Sequence, residues 1–236
     1  MSYELPPLRF GYHELEPYFS EEMVRRHHLE HHRAYTDGIN RILRENPSHD
    51  GQTIERLMHS LPGLPDDIRE DVRLQGGGHA NHQFLWKIIG PPRKNAPSGP
   101  LAQEIDRTFG SFATFRDQFY AAATALAGNG WAFLALDRWG PGHLEILTLA
   151  FNDSVLPLGK PGVMICDLWD HALEPKYGRN RQDYLDAFFN VIDWAVCETR
   201  YVGFRDGTMI SASAGEIPCA GARIPCFAET IRGFVE

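Results

Sequence analysis

The sequence predicts an α+β chain: a long antiparallel helical hairpin at the N-terminal end, then a three-stranded antiparallel sheet flanked by helices. Three observations lead there. Two long stretches, residues 20–46 and 66–89, carry apolar positions at helical spacing and end at proline or glycine. Three short apolar runs, 131–136, 144–151 and 162–166, are separated by turn-forming or proline-rich segments. Between the two sets stands a stretch dominated by proline, glycine and charge, residues 91–100. The expected units are therefore residues 1–92, an N-terminal helical-hairpin subdomain; 93–204, a C-terminal α/β subdomain; and 205–236, a C-terminal extension.

Hydrophobic residues make up 43% of the 236, enough for a sizeable core, and the formal net charge of -8 disfavours nucleic acid as a partner. No apolar run is long enough to cross a membrane, and the N-terminus lacks the basic-then-apolar build of a signal peptide, so a cytoplasmic protein is expected. Cys166, Cys197, Cys219 and Cys226 match neither a paired zinc-site spacing nor a dense disulfide framework, and read as structural thiols.

Pro6, Pro7 and Pro17 make residues 1–19 an extended arm over a core. Ser20, followed by Glu21 and Glu22, is an N-cap with acids in the first turn, and the helix it starts runs to about Asn46, where Pro47 stops it. Met23, His27, His31, Ala34, Gly38 and Ile42 trace its inward stripe. Two histidines thus stand where apolar residues are expected, and only one of the two i,i+4 histidine pairs in 27–32 is expected to face the core. Tyr35 continues the His31 face, and a group titrating near neutrality beside a hydroxyl suits proton relay. After a polar loop with a short amphipathic piece at 54–61, a second helix should run from Asp66 to Ile89. Its triplet Gly76-Gly77-Gly78 costs about 1 kcal/mol per glycine against alanine, which signals a break or a close backbone approach. His79 and His82 follow directly.

Beyond the boundary, residues 101–109 and 112–126 pattern as helices, with Phe112, Phe115 and Phe119 on a buried face. Gly128-Asn129-Gly130 breaks the chain before the three strands, which are expected to form a small antiparallel meander with a turn at residues 139–142. A last helix over 182–200 should bury Leu185, Phe188, Phe189, Ile192, Ala195 and Val196. In the extension, Ile210, Ile217, Ile224 and Phe227 are the candidate anchors of a packing arm or disordered tail.

The chemistry gathers at Asp167-Leu168-Trp169-Asp170-His171. A carboxylate ends the third strand, and an imidazole four residues on falls on the same side once the chain turns helical. One histidine from each long helix, added to this pair, gives three neutral imidazoles and one carboxylate. That donor set suits iron or manganese, with a position left for water or a small substrate, and it is also compatible with zinc.

The chain resembles the iron/manganese superoxide dismutase family. The resemblance covers about residues 3–204 and rests on co-linear motifs: Tyr3-Glu4-Leu5-Pro6-Pro7-Leu8 with Glu14-Leu15-Glu16-Pro17, His27-His28-x-x-His31-His32-x-x-Tyr35, Gly77-Gly78-His79-Ala80-Asn81-His82-x-Phe84-x-Trp86, Gly128-x-Gly130-Trp131-Ala132 and Asp167-x-Trp169-x-His171-Ala172. It implies that His27, His82, Asp167 and His171 bind one manganese or iron ion per subunit, with His31 and Tyr35 lining a substrate funnel and Trp131 and Trp169 walling the site. The implied reaction converts superoxide to dioxygen and hydrogen peroxide while the ion cycles between trivalent and divalent states. The implied assembly is a homo-oligomer.

The chain departs from the family in several places. The glutamine that bonds the metal-bound solvent in manganese-type members is matched by Asn152, one methylene shorter. The position that supplies it in iron-type members is Gly78, which favours the manganese-like arrangement. A glutamate and a tyrosine that bridge subunits in the family are replaced by Asp170 and Glu174, and Ala127 replaces a phenylalanine near the site. These changes leave two alternatives to dismutation: an iron or manganese oxidase or oxygenase acting on an organic substrate, and a metal-free scaffold, against which the survival of all four presumed ligands argues.

Overall fold

The computed structural model describes residues 2–93, 96–137 and 143–209. The turn expected at 139–142, the anchors from Ile210 to Phe227, and Cys219 and Cys226 all lie outside the described residues.

Ser20 caps α1 (Glu21–Arg26), its hydroxyl accepting from the Met23 amide at 3.3 Å. A π-helical turn (His27–His32) joins α1 to α2 (Arg33–Glu45) in one continuous rod. The arm before it is irregular apart from one 3-10 turn (Tyr12–Leu15), and Tyr3 exchanges two 2.8 Å hydrogen bonds with the Asn40 side chain. α3 (Ile54–His59) precedes the returning rod, which is built from α4 (Asp66–Asp71), a second π-helical turn (Val72–Gly76) and α5 (Gly77–Ile88). The glycine triplet is therefore no break.

The inward stripe differs from the expected one. Met23, His27 and Ile42 are buried as expected, but His31 is only half-buried and Ala34 is exposed, while His28, His32, Thr36 and Ile39 are buried. The π-helical turn is the cause. Each residue advances an α-helix by roughly 100°, so one inserted residue rotates everything after it and moves the stripe from His27 to His32. Histidines from both i,i+4 pairs are consequently buried together.

α6 (Gly99–Phe109) and α7 (Phe112–Ala125) lead into β1 (Gly130–Leu136), β2 (Leu144–Ala150) and β3 (Gly162–Asp167). The strands are antiparallel, but the sheet order is β2-β1-β3 and not that of a meander. The long connection 151–161 carries the chain past β1, so β1 becomes the central strand. That explains its unbroken apolar run: all of β1 is buried. Its register sets Trp131 opposite Asp167.

α8 (Asp170–Tyr177) starts almost at once after β3. The single helix expected over 182–200 is two, α9 (Arg181–Val191) and α10 (Trp194–Arg205). Ile192 leaves the helix to form an antiparallel bridge with Ile89, flanked by bonds from Asp193 N to Ile88 O (2.8 Å) and from Gly90 N to Val191 O (2.9 Å). The Asp193 carboxylate then caps α10 at the Val196 amide. Burial shifts with the break: Leu185, Phe188 and Ile192 are buried, Phe189 and Val196 half-buried, and Ala195 exposed.

α5 ties the two halves together. Phe84, Leu85 and Ile88 join the main core with the sheet and the C-terminal helices, while Ala80 joins a smaller core with α2, α3 and α4. Cys166 and Cys197 are buried free thiols. No helix among the described residues is long and apolar enough to cross a membrane.

Candidate metal centre

Four elements each deliver one donor. His27 opens the first π-helical turn, His82 lies on α5, Asp167 ends β3 and His171 lies in the first turn of α8. One donor atom from each lies within 4.8 Å of all the others. Asp167 Oδ2 is the hub, 3.0 Å from His27 Nε2, 3.3 Å from His171 Nε2 and 3.7 Å from His82 Nε2.

These four atoms are buried, and none has a partner in hydrogen-bond geometry. Leaving four polar atoms so would cost several kcal/mol unless something fills the space between them. An ion about 2.1 Å from each donor separates neighbouring donors by roughly 3–4 Å, close to what is found. The residues therefore fit manganese or iron.

The surroundings prepare each donor. His82 Nδ1 lies 2.7 Å from the Gly78 carbonyl, so Nδ1 carries the proton and Nε2 presents its lone pair inward. Asp167 Oδ1 accepts from the Trp169 amide at 2.8 Å, which turns Oδ2 to the histidines. Burial keeps His27 and His82 neutral by lowering both below the ordinary histidine value. Burial alone would raise the Asp167 carboxyl, but the His171 and His27 imidazoles beside it hold it well below the usual carboxylate range. With His171 as the third ring, the donor set is three imidazoles and one carboxylate, the set the sequence chemistry requires.

Every second-rank residue named from the sequence lies close by. The His31 ring stacks on His171 with centroids 4.2 Å apart, and Tyr35 is 5.3 Å from the His82 ring. Trp131 meets His82 edge-on at 5.0 Å, and Trp169 stacks on His171 at 5.8 Å. Trp131 Nε1 donates to Asn152 Oδ1 (3.2 Å), while Asn152 Nδ2 donates to the Leu74 carbonyl (3.0 Å). Asn152 and Tyr35 both pack over Gly78, and burial raises the Tyr35 phenol above its ordinary value. Gly78 makes this possible: a Cβ there would stand 2.6 Å from the Tyr35 ring and 2.8 Å from Asn152 Nδ2.

Two clefts reach this region. One, of about 550 Å³, is lined by His31, Tyr35, Arg41, Arg44 and Gln75 among others. The second, of about 450 Å³, runs past His31, His171, Asp170, Glu174 and Arg26. Ala127 is exposed and lines neither.

Arg41, Arg44 and Gln75 were not legible as site residues. Helical spacing sets Arg41 on the face of His31, Ala34 and Gly38, but an arginine there reads as solvated surface, and Gln75 lies inside the second π-helical turn. His32 was likewise missed as a support. Its Nδ1 accepts from Trp86 Nε1 (3.1 Å), which leaves its proton on Nε2, 3.1 Å from His79 Nδ1, and its ring stacks on His82 at 5.3 Å. The adjacency of His32 to the presumed ligand helix face was the available signal.

Comparison with known proteins matches residues 2–90 to "Iron/manganese superoxide dismutases, alpha-hairpin domain" and residues 97–200 to "Iron/manganese superoxide dismutases, C-terminal domain". The "Superoxide dismutase [Mn]" of Listeria innocua is 40% identical over 201 residues, covering 85% of this chain and 98% of that protein. That of Listeria ivanovii is 40% identical over 194 residues, 82% of this chain and 95% of its own length. With both domains matched in order and identity sustained over most of its length, the chain belongs to the iron/manganese superoxide dismutase family.

Proposed function

We propose that His27, His82, Asp167 and His171 hold one manganese or iron ion, and that His31, Tyr35, Asn152, Trp131 and Trp169 govern how superoxide and protons reach it. The chain is a superoxide dismutase, an oxidoreductase, as its family and its 40% identical relatives establish. The observation that carries the residue assignment is the convergence of four buried, unpartnered donor atoms. No feature of the site favours oxidation of an organic substrate.

Bound among these donors, the ion supplies one-electron exchange between its trivalent and divalent states, so that one superoxide yields dioxygen and the next yields hydrogen peroxide. The residues do the rest. The single Asp167 carboxylate offsets part of the ion's charge, while the three imidazoles add donors without adding charge. Burial lowers His31 to about 4, so it meets substrate as a neutral ring. Attraction of an anion into the cleft therefore falls to Arg41 and Arg44, against an overall charge of -8. Tyr35, its phenol raised by burial, keeps its proton at neutral pH and holds it beside Asn152 at the cleft's inner end. Trp131 and Trp169 limit the space around His82 and His171.

Manganese is our reading of the native metal, supported by Gly78 and the Asn152 carboxamide packed over it, and by the names of the relatives. We retain the units 1–92, 93–204 and 205–236. We also infer a homo-oligomer whose bridge differs from the family's usual one, because Asp170 and Glu174 are exposed on the cleft that His31 and His171 border. The test of function is metal content and dismutation rate on one purified sample, reconstituted separately with manganese and with iron. A high rate per bound ion with one metal supports the reading. Full occupancy with negligible rate for both contradicts it.

A further inference from the structure

Three ring contacts in succession lead from the extended N-terminal arm to a metal donor. Tyr3 stacks on His79 with centroids 5.4 Å apart, His79 packs against His32 at 5.0 Å, and His32 stacks on His82 at 5.3 Å with 14° between the ring planes. The arm end is anchored: the Tyr3 backbone exchanges two hydrogen bonds with the Asn40 side chain, and its hydroxyl donates to the Gln52 carbonyl at 3.0 Å. The three histidines are buried.

Both nitrogens of His32 are engaged. The Trp86 indole can only donate, so His32 Nδ1 accepts from it at 3.1 Å and the His32 proton sits on Nε2, which donates to His79 Nδ1 at 3.1 Å. Thr36 Oγ1 closes this junction, 3.0 Å from the His32 carbonyl and 3.0 Å from His79 Nδ1. An imidazole bonded at both edges has a fixed plane.

Packing alone does not call for this arrangement. Buried polar rings cost free energy unless each is satisfied, and an apolar ring would fill the same space without that cost. What an apolar ring lacks is a set orientation. The His82 ring is itself hydrogen-bonded at one edge only, through Nδ1 to the Gly78 carbonyl at 2.7 Å, while its Nε2 faces the other three donors. That single bond leaves the ring able to tilt, and the fixed face of His32 stacked on it limits the tilt.

We propose that His32 and His79 are positioning residues for the metal: bonded to Trp86 and to each other, they hold the plane of the His82 imidazole and so strengthen the hold of the centre on its ion. The proposal rests on His82 being a ligand.

Manganese affinity, measured by competition with a chelator, tests it, with urea midpoints taken on the same samples. His32→Phe keeps a ring on His82 and removes both hydrogen bonds; His79→Phe keeps a ring and removes only the acceptor, at a residue that stacks on no donor. Each should lower affinity by roughly tenfold to a hundredfold, the effect of losing the groups that orient a ligand. The double variant should bind no more weakly than His32→Phe alone, because the two residues act in series. Urea midpoints that fall while affinity stays unchanged would reduce the chain to packing and overturn the proposal, as would effects of the two substitutions that multiply. His82→Ala separates the two failures: full metal retention there removes the ligand itself, whereas metal lost there with affinity unchanged in His32→Phe and His79→Phe overturns only the positioning.

Discussion

The carboxamide of Asn152 stands where a side chain on residue 78 would have to go: a Cβ on Gly78 would lie 2.8 Å from Asn152 Nδ2 and 2.6 Å from the Tyr35 ring. One glycine thereby couples α5, the connection after β2 and the inner end of the cleft. Gly78→Ala should push Tyr35 and Asn152 apart. It would gain about 1 kcal/mol in helix propensity and lose roughly 1–3 kcal/mol to overpacking. The expected outcome is a dismutation rate down by about tenfold or more with metal content unchanged, since the barrier rises by roughly 1.4 kcal/mol per decade. A variant with unaltered rate would show that the Tyr35–Asn152 contact is dispensable.

Much of this site was legible because metal chemistry constrains residue type. Histidines in two helices and a carboxylate ending an apolar strand narrow the candidate donors without any coordinates, and the family resemblance then singles out His27 and His82 among them. What the sequence conceals is relative rotation. A π-helical turn has no composition of its own, so the stripe expected through His31, Ala34 and Gly38 gave way to one through His32, Thr36 and Ile39. Strand order was hidden for a similar reason: the pattern identifies each strand, but only the path of 151–161 decides which side of β1 receives β3. The division between α9 and α10 had a visible signal in Asp193, an N-cap residue, yet its cause is the distant bridge from Ile192 to Ile89.

Acid should weaken the fold through His79. It is 1% exposed, and burial lowers it to about 4 from an ordinary 6.5. Its folded value lies below its unfolded value, so its stabilising contribution is complete above pH 6.5, declines as pH falls towards 4, and changes no further below that. The span corresponds to about 3 kcal/mol. His79→Gln should lose part of that pH dependence, as read from urea midpoints at neutral and acid pH on samples of equal metal content. An unchanged slope would mean that His79 is not held neutral by burial.

Arg41 and Arg44, exposed at the mouth of the His31–Tyr35 cleft, should set the salt dependence of turnover. Replacing both with glutamine should lower kcat/KM roughly threefold to tenfold at low ionic strength and leave metal content intact. The difference should shrink as salt screens the charges. Steering by these arginines is disproved if the double variant keeps the wild-type rate and salt slope.

The central claim is that the four unpartnered atoms of His27, His82, Asp167 and His171 are the metal site, and anomalous diffraction at the manganese and iron edges tests it most directly, alongside His82→Ala. The account predicts one peak within bonding distance of all four atoms in the unaltered protein, with affinity reduced by more than roughly a hundredfold in the variant. A peak elsewhere, or full metal occupancy in His82→Ala, would contradict it.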